Sequence, residues 1–251
     1  MLRHLIWDMR PEKGMSNFPR SAVYESSEYY MGFYNNASDP VYLLAKGGNN
    51  GESHNHNDVG TYVIIRNDDM LAADTAGGDY CRDYFNENRY TFFAARSAGH
   101  NFPIVDGIEQ EGNGRCRCST FSVDTTDAKD IISMDLSKTL KCDALSSYNR
   151  NIVGSKCDAQ ISIIDVFDLS RPVVIQDRII TMTKPTVLDD GILRIGGNNG
   201  MTLRYDANIM DCSINIVNHN TARGDQVYTI DIIPRKQKIG RTVIKMSWSL
   251  E

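Results

Sequence analysis

Short apolar runs separated by turn residues recur along most of the chain, and helical periodicity is almost confined to its first ten residues. The runs lie at residues 41–45, 61–66, 70–74, 119–123, 131–136, 161–167, 173–182, 201–205, 209–216, 226–233 and 242–248. We predict a strand at each, because runs of this length between Gly, Asn, Asp or Pro are typical of strands. Many short strands without intervening helices predict an all-β fold, a large antiparallel β-sandwich, with a short helical remnant at the N-terminus.

A hairpin is predicted where runs 61–66 and 70–74 are joined by the linker 67–69 (Asn-Asp-Asp), because these residue types favour tight turns. Alternation within the longer runs is partial. In the run 161–167, Ile161, Ile163 and Asp165 lie on one face, whereas Ile164 and Val166 lie on the other. Apolar side chains on both faces predict a sheet that is covered on both sides.

The segment 79–96 mixes aromatic and charged residues without a clear period. It predicts a long loop with room for a helical turn, and long loops in compact domains often carry function. Arg89 and Arg96 could bind a sulfate or carboxylate group through their planar guanidinium groups. Solvated surface arginines are an equally good interpretation of these two residues.

Composition and charge narrow the classes of partner. The chain has 251 residues, 41% hydrophobic and 24% charged, which is typical of a globular protein with a buried core. A net charge of −5 disfavours duplex nucleic acid as the main partner. No run approaches the ~20 apolar residues of a membrane span. The six cysteines show no framework spacing, and we interpret them as free thiols.

Two of the five histidines lie two residues apart, in the segment 53–58 (Ser-His-Asn-His-Asn-Asp). If the segment is extended, His54 and His56 project from the same face and both imidazoles point into one cavity. Two imidazoles in one cavity suit a metal site, an acid–base site, or both.

Two later residues could extend this motif. Asp74 ends the second strand of the predicted hairpin, and His100 lies in a turn before an apolar pair. Two imidazoles and one carboxylate suit Zn²⁺ and leave a fourth position open. Spacing leaves a second interpretation open, in which the histidines are hydrogen-bonded and bind no metal. Asp58 either orients one of the histidines or is a strand-end carboxylate.

Several common catalytic motifs are absent from the sequence. The segment 47–51 (Gly-Gly-Asn-Asn-Gly) lacks the Lys-Ser/Thr of a phosphate-binding loop, and no Gly-x-Ser-x-Gly motif occurs. A metal-dependent hydrolase is disfavoured because no glutamate accompanies the histidines in a His-Glu-x-x-His pattern.

Four blocks in order resemble the heparinase II/III family of polysaccharide lyases. They are 54–60 (His-Asn-His-Asn-Asp-Val-Gly), 71–77 (Leu-Ala-Ala-Asp-Thr-Ala-Gly), 97–101 (Ser-Ala-Gly-His-Asn) and 105–110 (Val-Asp-Gly-Ile-Glu-Gln), with a weaker block at 173–178. Members of this family act on uronate-containing glycans such as heparin, heparan sulfate and alginate. The resemblance covers about residues 40–110.

The resemblance implies a particular domain organisation. In the family, an N-terminal (α/α) toroid precedes an antiparallel β-sandwich, and this chain resembles the sandwich alone. Residues 1–20 are then the helical tail and linker of a toroid that precedes them, and residues 21–251 are the sandwich domain. The resemblance favours a periplasmic or secreted location and leaves the cytoplasm open.

The resemblance also implies roles for individual residues. His56, Asp74 and His100 match the ligands of a structural zinc ion, and His54 matches the catalytic histidine of the sandwich. Tyr90 loosely matches a tyrosine near the substrate. The remaining catalytic groups of the family, a Tyr and an Asn/His pair, lie in the toroid, so we expect this chain alone to have little or no lyase activity.

The leading hypothesis is therefore a zinc-binding domain of a polysaccharide lyase that cleaves uronate-containing glycans by β-elimination. Its expected partners are an acidic polysaccharide, the toroid in cis, and further copies of the chain through surfaces meant for the toroid. The alternative is a non-catalytic glycan-binding β-sandwich. His54 favours the lyase, since a binding module has no need of a second histidine beside the ligand.

Overall fold

The structure is a computed structural model, and it describes residues 20–36, 38–75, 81–217 and 226–250. The helical tail predicted within residues 1–20 lies, apart from residue 20, outside the described residues. The division into residues 1–20 and 21–251 therefore stays a prediction. Within the described ranges, no helix is long and apolar enough to cross a membrane.

The described residues form three antiparallel sheets, none closed into a barrel, so the predicted all-β sandwich is confirmed. The five-stranded sheet has the order of the chain: β1 (Ser21–Tyr24), β2 (Tyr29–Asn36), β3 (Asp39–Lys46), β4 (Tyr62–Arg66) and β5 (Asp69–Ala72). Its last two strands form the predicted hairpin, pairing Arg66 with Asp69.

The other two sheets contain the later strands. These are β6 (Ile104–Val105), β7 (Thr120–Thr125), β8 (Lys129–Asp135), β9 (Leu145–Ser155), β10 (Ile161–Leu169), β11 (Ile175–Thr181), β12 (Thr186–Asp189), β13 (Ile192–Ile195), β14 (Met201–Tyr205), β15 (Met210–Val217), β16 (Val227–Pro234) and β17 (Gly240–Ser249). The eight-stranded sheet has the order β12-β13-β14-β17-β10-β9-β8-β7, and the four-stranded sheet has the order β15-β16-β11-β6.

Short 3-10 helices replace strands between β5 and β6. They span Arg82–Phe85, Glu87–Thr91, Phe93–Ala95 and Ser97–Gly99, and a further one, Glu25–Ser27, joins β1 to β2. The prediction of a loop with helical turns at 79–96 is thus confirmed for its described part, residues 81–96.

One strand that the apolar pattern missed is the 11-residue β9. Its inward positions alternate regularly, but they hold Tyr148 and Arg150 as well as Ile152, and its outward positions are mostly polar. A strand whose core face carries an arginine has no apolar signature. Strand β12 was also missed, because it is exposed along its whole length, and so was the four-residue β13.

The main hydrophobic core receives side chains from all three sheets. Tyr148 of β9 stacks on Phe167 of β10 with ring centroids 4.5 Å apart, and Trp248 of β17 is fully buried in the same cluster. A second cluster containing Met31 and Leu44 lies on the other side of the five-stranded sheet. That sheet is therefore covered on both faces, which explains its long apolar runs.

A buried charge cluster crosses this core. The Arg150 guanidinium donates to Asp165 through Nε and Nη2, both at 2.8 Å, and Nη2 also contacts Asp177 at 3.2 Å. Its Nη1 donates to the carbonyl oxygens of Gly60 at 2.8 Å and Asn101 at 2.7 Å. Since the side chains of all three charged residues are fully buried, Arg150 joins the eight-stranded and four-stranded sheets to the two loops at Gly60 and Asn101.

A candidate metal centre beside an exposed histidine

The structure brings together the three residues predicted as metal ligands. His56 lies between β3 and β4, Asp74 lies two residues after β5, and His100 follows the 3-10 helix Ser97–Gly99. One potential ligand atom from each lies within 4.8 Å of the others. The rings of His56 and His100 are 5.4 Å apart, and His100 Nδ1 lies 3.2 Å from Asp74 Oδ1.

Asn101 connects two of the segments that carry these ligands. Its Nδ2 donates to the carbonyl oxygens of Tyr62 at 2.7 Å and Ala73 at 3.0 Å, and its Oδ1 accepts from the Ile180 amide at 2.7 Å. The side chain is fully buried, so all three hydrogen bonds are shielded from water. Because Ala73 precedes Asp74 and Asn101 follows His100, these bonds set the distance between the two ligand-bearing segments.

Hydrogen bonds from His56 and from the next residue hold His56 in place. The amide of the next residue, Asn57, donates to the Ala95 carbonyl at 2.9 Å, and the Asn57 side chain donates to the Gln110 carbonyl at 3.0 Å. His56 Nε2 shares a hydrogen bond of 2.8 Å with the Tyr84 hydroxyl. Tyr84 is buried, and sequence reasoning missed it because the segment 79–96 has no periodic signal.

The charges of the cluster suit a cation. Burial, with a contribution from His100, lowers the pKa of His56 to about 4. Burial works against ionisation of Asp74, but the adjacent histidines outweigh it and lower the pKa of Asp74 to about 2. Burial lowers the pKa of His100, yet the Asp74 carboxylate more than offsets this and raises it. The ionised Asp74 carboxylate and the neutral His56 imidazole are the forms that bind a metal ion, and a metal ion would take the place of the proton that Asp74 favours on His100.

Unpartnered polar atoms test whether the residues fit a metal. Within the part of the chain that the structure describes, Asp74 Oδ1 and both ring nitrogens of His100 are buried without a hydrogen-bond partner, since the 3.2 Å contact between Asp74 Oδ1 and His100 Nδ1 lacks hydrogen-bond geometry. Buried polar atoms rarely lack partners. A cation bound by these two residues and His56 would satisfy Asp74 Oδ1 and one ring nitrogen of His100, and a His₂Asp set leaves one position open in tetrahedral coordination. The three residues therefore fit a bound metal ion.

His54 lies in a turn, and the expectation that segment 53–58 is extended is wrong. His54 has a left-handed backbone with φ of 58°, and its side chain is exposed, with its ring 6.3 Å from that of Phe85. The neighbouring Gly51, Ser53 and Asn55 are residue types that favour turns over strands. The turn separates the two imidazoles, so that His56 is largely buried and His54 faces solvent.

Tyr90 lies against the loop that carries His54. Its hydroxyl donates to Asn55 Oδ1 at 3.3 Å, and its half-buried ring packs on Gly112, where a Cβ atom would overlap it. Burial raises the pKa of Tyr90. The structure thus places Tyr90 against the residue that follows His54, and it assigns Asn55 the role of hydrogen-bond acceptor for that tyrosine.

The remaining charged candidates have protein partners. Arg96 pairs with Glu109 through two nitrogens, and the Arg89 guanidinium lies 4.9 Å above the Tyr84 ring. Asp58 forms an ion pair of 2.5 Å with the buried Lys46, so it does not orient a histidine. All six cysteines are free thiols, as predicted.

No protein-family model matches the chain, and no curated protein matches it. Solved structures do match. The heparan sulfate lyase HepC from Pedobacter heparinus has a TM-score of 0.70 at 12% identity, and the match covers 99% of this chain and 38% of that one. A heparinase III structure has a TM-score of 0.68 at 14% identity, covering 93% of this chain and 37% of that one.

A second heparinase III structure has a TM-score of 0.70 at 13% identity and covers 98% of this chain and 38% of its own. The chain spans less than two-fifths of the length of each of these structures. It has the fold of one part of the heparan sulfate lyases, and the resemblance to the heparinase II/III family is confirmed at the level of the fold.

Proposed function

We propose that this chain is the zinc-binding β-sandwich domain of a polysaccharide lyase that cleaves uronate-containing glycans by β-elimination. The observation that carries the proposal is the position of His54. Its exposed imidazole lies in a turn two residues before His56, whose side chain joins Asp74 and His100 in the candidate metal centre. A zinc ion held by these three residues would be structural and would fix the loop from which His54 projects.

The chemistry sought in such a site has two proton transfers. The proton next to the uronate carboxylate must be removed, and the oxygen at C4 must leave with a proton. We propose that His54 is the residue of this chain that transfers a proton. Its imidazole is exposed, so a substrate can reach it, and the turn sets its position. Tyr90 is the proposed second group, since its hydroxyl lies at 3.3 Å from the side chain of Asn55.

The carbanion-like intermediate also needs neutralisation of the uronate carboxylate by cationic or hydrogen-bonding groups. Among the arginines predicted for this task, Arg96 is occupied by Glu109 and Arg89 lies over Tyr84. We therefore assign carboxylate neutralisation, together with the remaining catalytic groups, to an N-terminal toroid of a longer polypeptide.

Expression of the complete polypeptide with its upstream region tests the proposal directly. We expect it to release unsaturated uronate products from at least one of heparan sulfate, heparin and alginate, detected by their ultraviolet absorbance. The 251-residue chain alone should release little or none under the same conditions. Robust turnover by the chain alone would contradict the need for a toroid. Glycan binding by the complete protein without any product would favour the alternative, a non-catalytic binding module.

Metal content provides an independent test. Protein purified without chelator is expected to contain about one zinc ion per chain by elemental analysis, and His100→Ala is expected to lose it. Removal of zinc should lower the free energy of unfolding by about 3–4 kcal/mol if free zinc is about 100 to 1,000 times Kd. His54→Ala is the matched control, because it removes an exposed imidazole from the same loop and should keep the metal. Absence of zinc from the unmodified protein would refute the ligand assignment.

A further inference from the structure

A cavity of about 420 Å³ opens beside the loop that carries His54. Four charged side chains line it: Glu28, Glu52, Arg117 and Lys138. Its remaining lining is mostly small and polar and includes Asn49, five residues before His54. A cleft of this composition suits a hydroxylated, charged ligand better than an apolar one.

The two carboxylates of the cleft already have partners in the backbone. Glu28 Oε2 accepts a hydrogen bond from the Gly48 amide at 2.6 Å, and Glu52 Oε1 accepts one from the Asn49 amide at 3.5 Å. Gly48 has φ of 73°, and a Cβ atom there would lie 2.8 Å from Glu52. These contacts hold the loop in place, and the carboxylates keep lone pairs that could accept from sugar hydroxyl groups.

The two cations of the cleft are free. Arg117 and Lys138 are exposed, and neither side chain forms a hydrogen bond or an ion pair with a residue in the part of the chain that the structure describes. An arginine fork binds two oxygens of a sulfate or carboxylate group at once, and a lysine ammonium adds a point charge beside it. The two side chains of the cleft that remain available for a ligand are therefore suited to bind an anion.

The cleft lies close to His54 along the same loop. Two facing loops run between them: Asn49 bridges Arg117, and Gly51 approaches Gly114 so closely that a Cβ atom would lie 2.9 Å from its backbone. Two residues before Gly114, Gly112 packs on the ring of Tyr90, whose hydroxyl donates a hydrogen bond to Asn55. Five residues of extended chain span at most about 18 Å, so the cleft lies within that distance of His54.

We propose that this cleft is a subsite for the anionic substituent of an acidic glycan, at a sugar unit removed from the bond that is cleaved. Arg117 and Lys138 bind the sulfate or carboxylate group, and Glu28 and Glu52 accept from neighbouring hydroxyl groups. The assignment rests on the proposed function in naming the glycan, since the cleft lies along the same loop as His54.

The test is a binding titration of the 251-residue chain with a heparan sulfate octasaccharide and with its desulfated counterpart, at low salt. The double variant Arg117→Ala/Lys138→Ala is expected to raise Kd at least tenfold and to make binding less sensitive to added salt. The control is Arg204→Ala/Lys245→Ala, which removes the same charge from two exposed residues of the eight-stranded sheet. It should change Kd less than twofold.

The two ligands separate the two sources of negative charge. A loss confined to the sulfated octasaccharide assigns the cleft to sulfate, and an equal loss for both assigns it to the uronate carboxylate. The proposal is overturned if the two double variants lose affinity equally, if neither loses it, or if the unmodified chain binds neither ligand. In the complete protein, Arg117→Ala/Lys138→Ala should raise KM and leave kcat unchanged. Failure of the cleavage assay alone would refute the lyase function and leave a measured change in Kd standing.

Discussion

Replacing His54 with alanine in the complete protein is expected to lower the rate of glycan cleavage about 10²–10⁴-fold, the usual contribution of a general acid or base. The metal content and the unfolding transition should stay unchanged, because His54 is exposed and lies outside the candidate metal-binding group of His56, Asp74 and His100. The measurement is kcat on the best glycan substrate, with zinc stoichiometry and a thermal melt on the same sample.

Two further variants make this result specific. His56→Ala, two residues away, should lose the metal and destabilise the fold, so its loss of activity has a different signature. Tyr90→Phe removes only the hydroxyl that donates to Asn55 and should lower kcat without affecting zinc. Full activity of His54→Ala, or loss of its metal, would show that this histidine has a structural role rather than a catalytic one.

The second large effect is expected at Arg150. Arg150→Met should reduce the free energy of unfolding by about 3–5 kcal/mol, because removing one partner of a buried ion pair leaves an uncompensated charge. Asp165 would lose two hydrogen bonds of 2.8 Å, and the carbonyl groups of Gly60 and Asn101 would lose their donor. Denaturant unfolding monitored by fluorescence measures the change. Arg241→Met is the control, since its pair with Asp168 is exposed and screened by solvent, so its loss should change the free energy of unfolding far less.

Asp177→Asn tests the same cluster if Arg150→Met fails to fold. Burial, together with the neighbouring Asp165, raises the pKa of Asp177 well above its usual range, although Arg150 opposes this. The native state then holds a proton that the unfolded state releases, so its stabilising effect is present at low pH and is lost as the pH rises through the folded-state pKa. The asparagine variant should remain folded and show a flatter decline of stability with pH. An unchanged decline would show that Asp177 is ionised in the native state.

Local sequence pattern accounts for much of the fold. The hairpin of β4 and β5 was predictable because its turn residues and two apolar runs are adjacent in the chain. Strand β10 was predictable from its apolar run, but the cover on both faces expected for this run is not found: Ile161, Ile163 and Asp165 are buried on one face, whereas Ile164 and Val166 on the other are only half-buried. Strand β9 was not predictable, because its core face carries Arg150, the buried partner of Asp165. In the sequence alone, an arginine at such a position looks like part of a polar loop.

The candidate site divides in the same way. His56, Asp74 and His100 stand in sequence blocks that resemble a known family, so their grouping was predictable as a resemblance, and the structure places their ligand atoms within 4.8 Å of each other. Tyr84 and Asn101 were not assigned in advance, because hydrogen bonds to His56 and to the Ala73 carbonyl depend on segments that meet only in the folded chain.

The amino-acid sequence was enough to name the candidate site residues: two histidines in one short segment, one carboxylate after a hairpin, and one histidine in a later turn. Their separation into a buried group and an exposed histidine depends on the folded chain. A left-handed turn at His54 exposes its imidazole, while the hydrogen bonds of Asn57 and Tyr84 hold His56 inside. Side-chain alternation is a property of extended backbone, and it no longer applies once the chain turns. The position of Arg117 beside the same loop has the same origin, since 63 residues separate it from His54 in the chain and close packing of two loops brings them together.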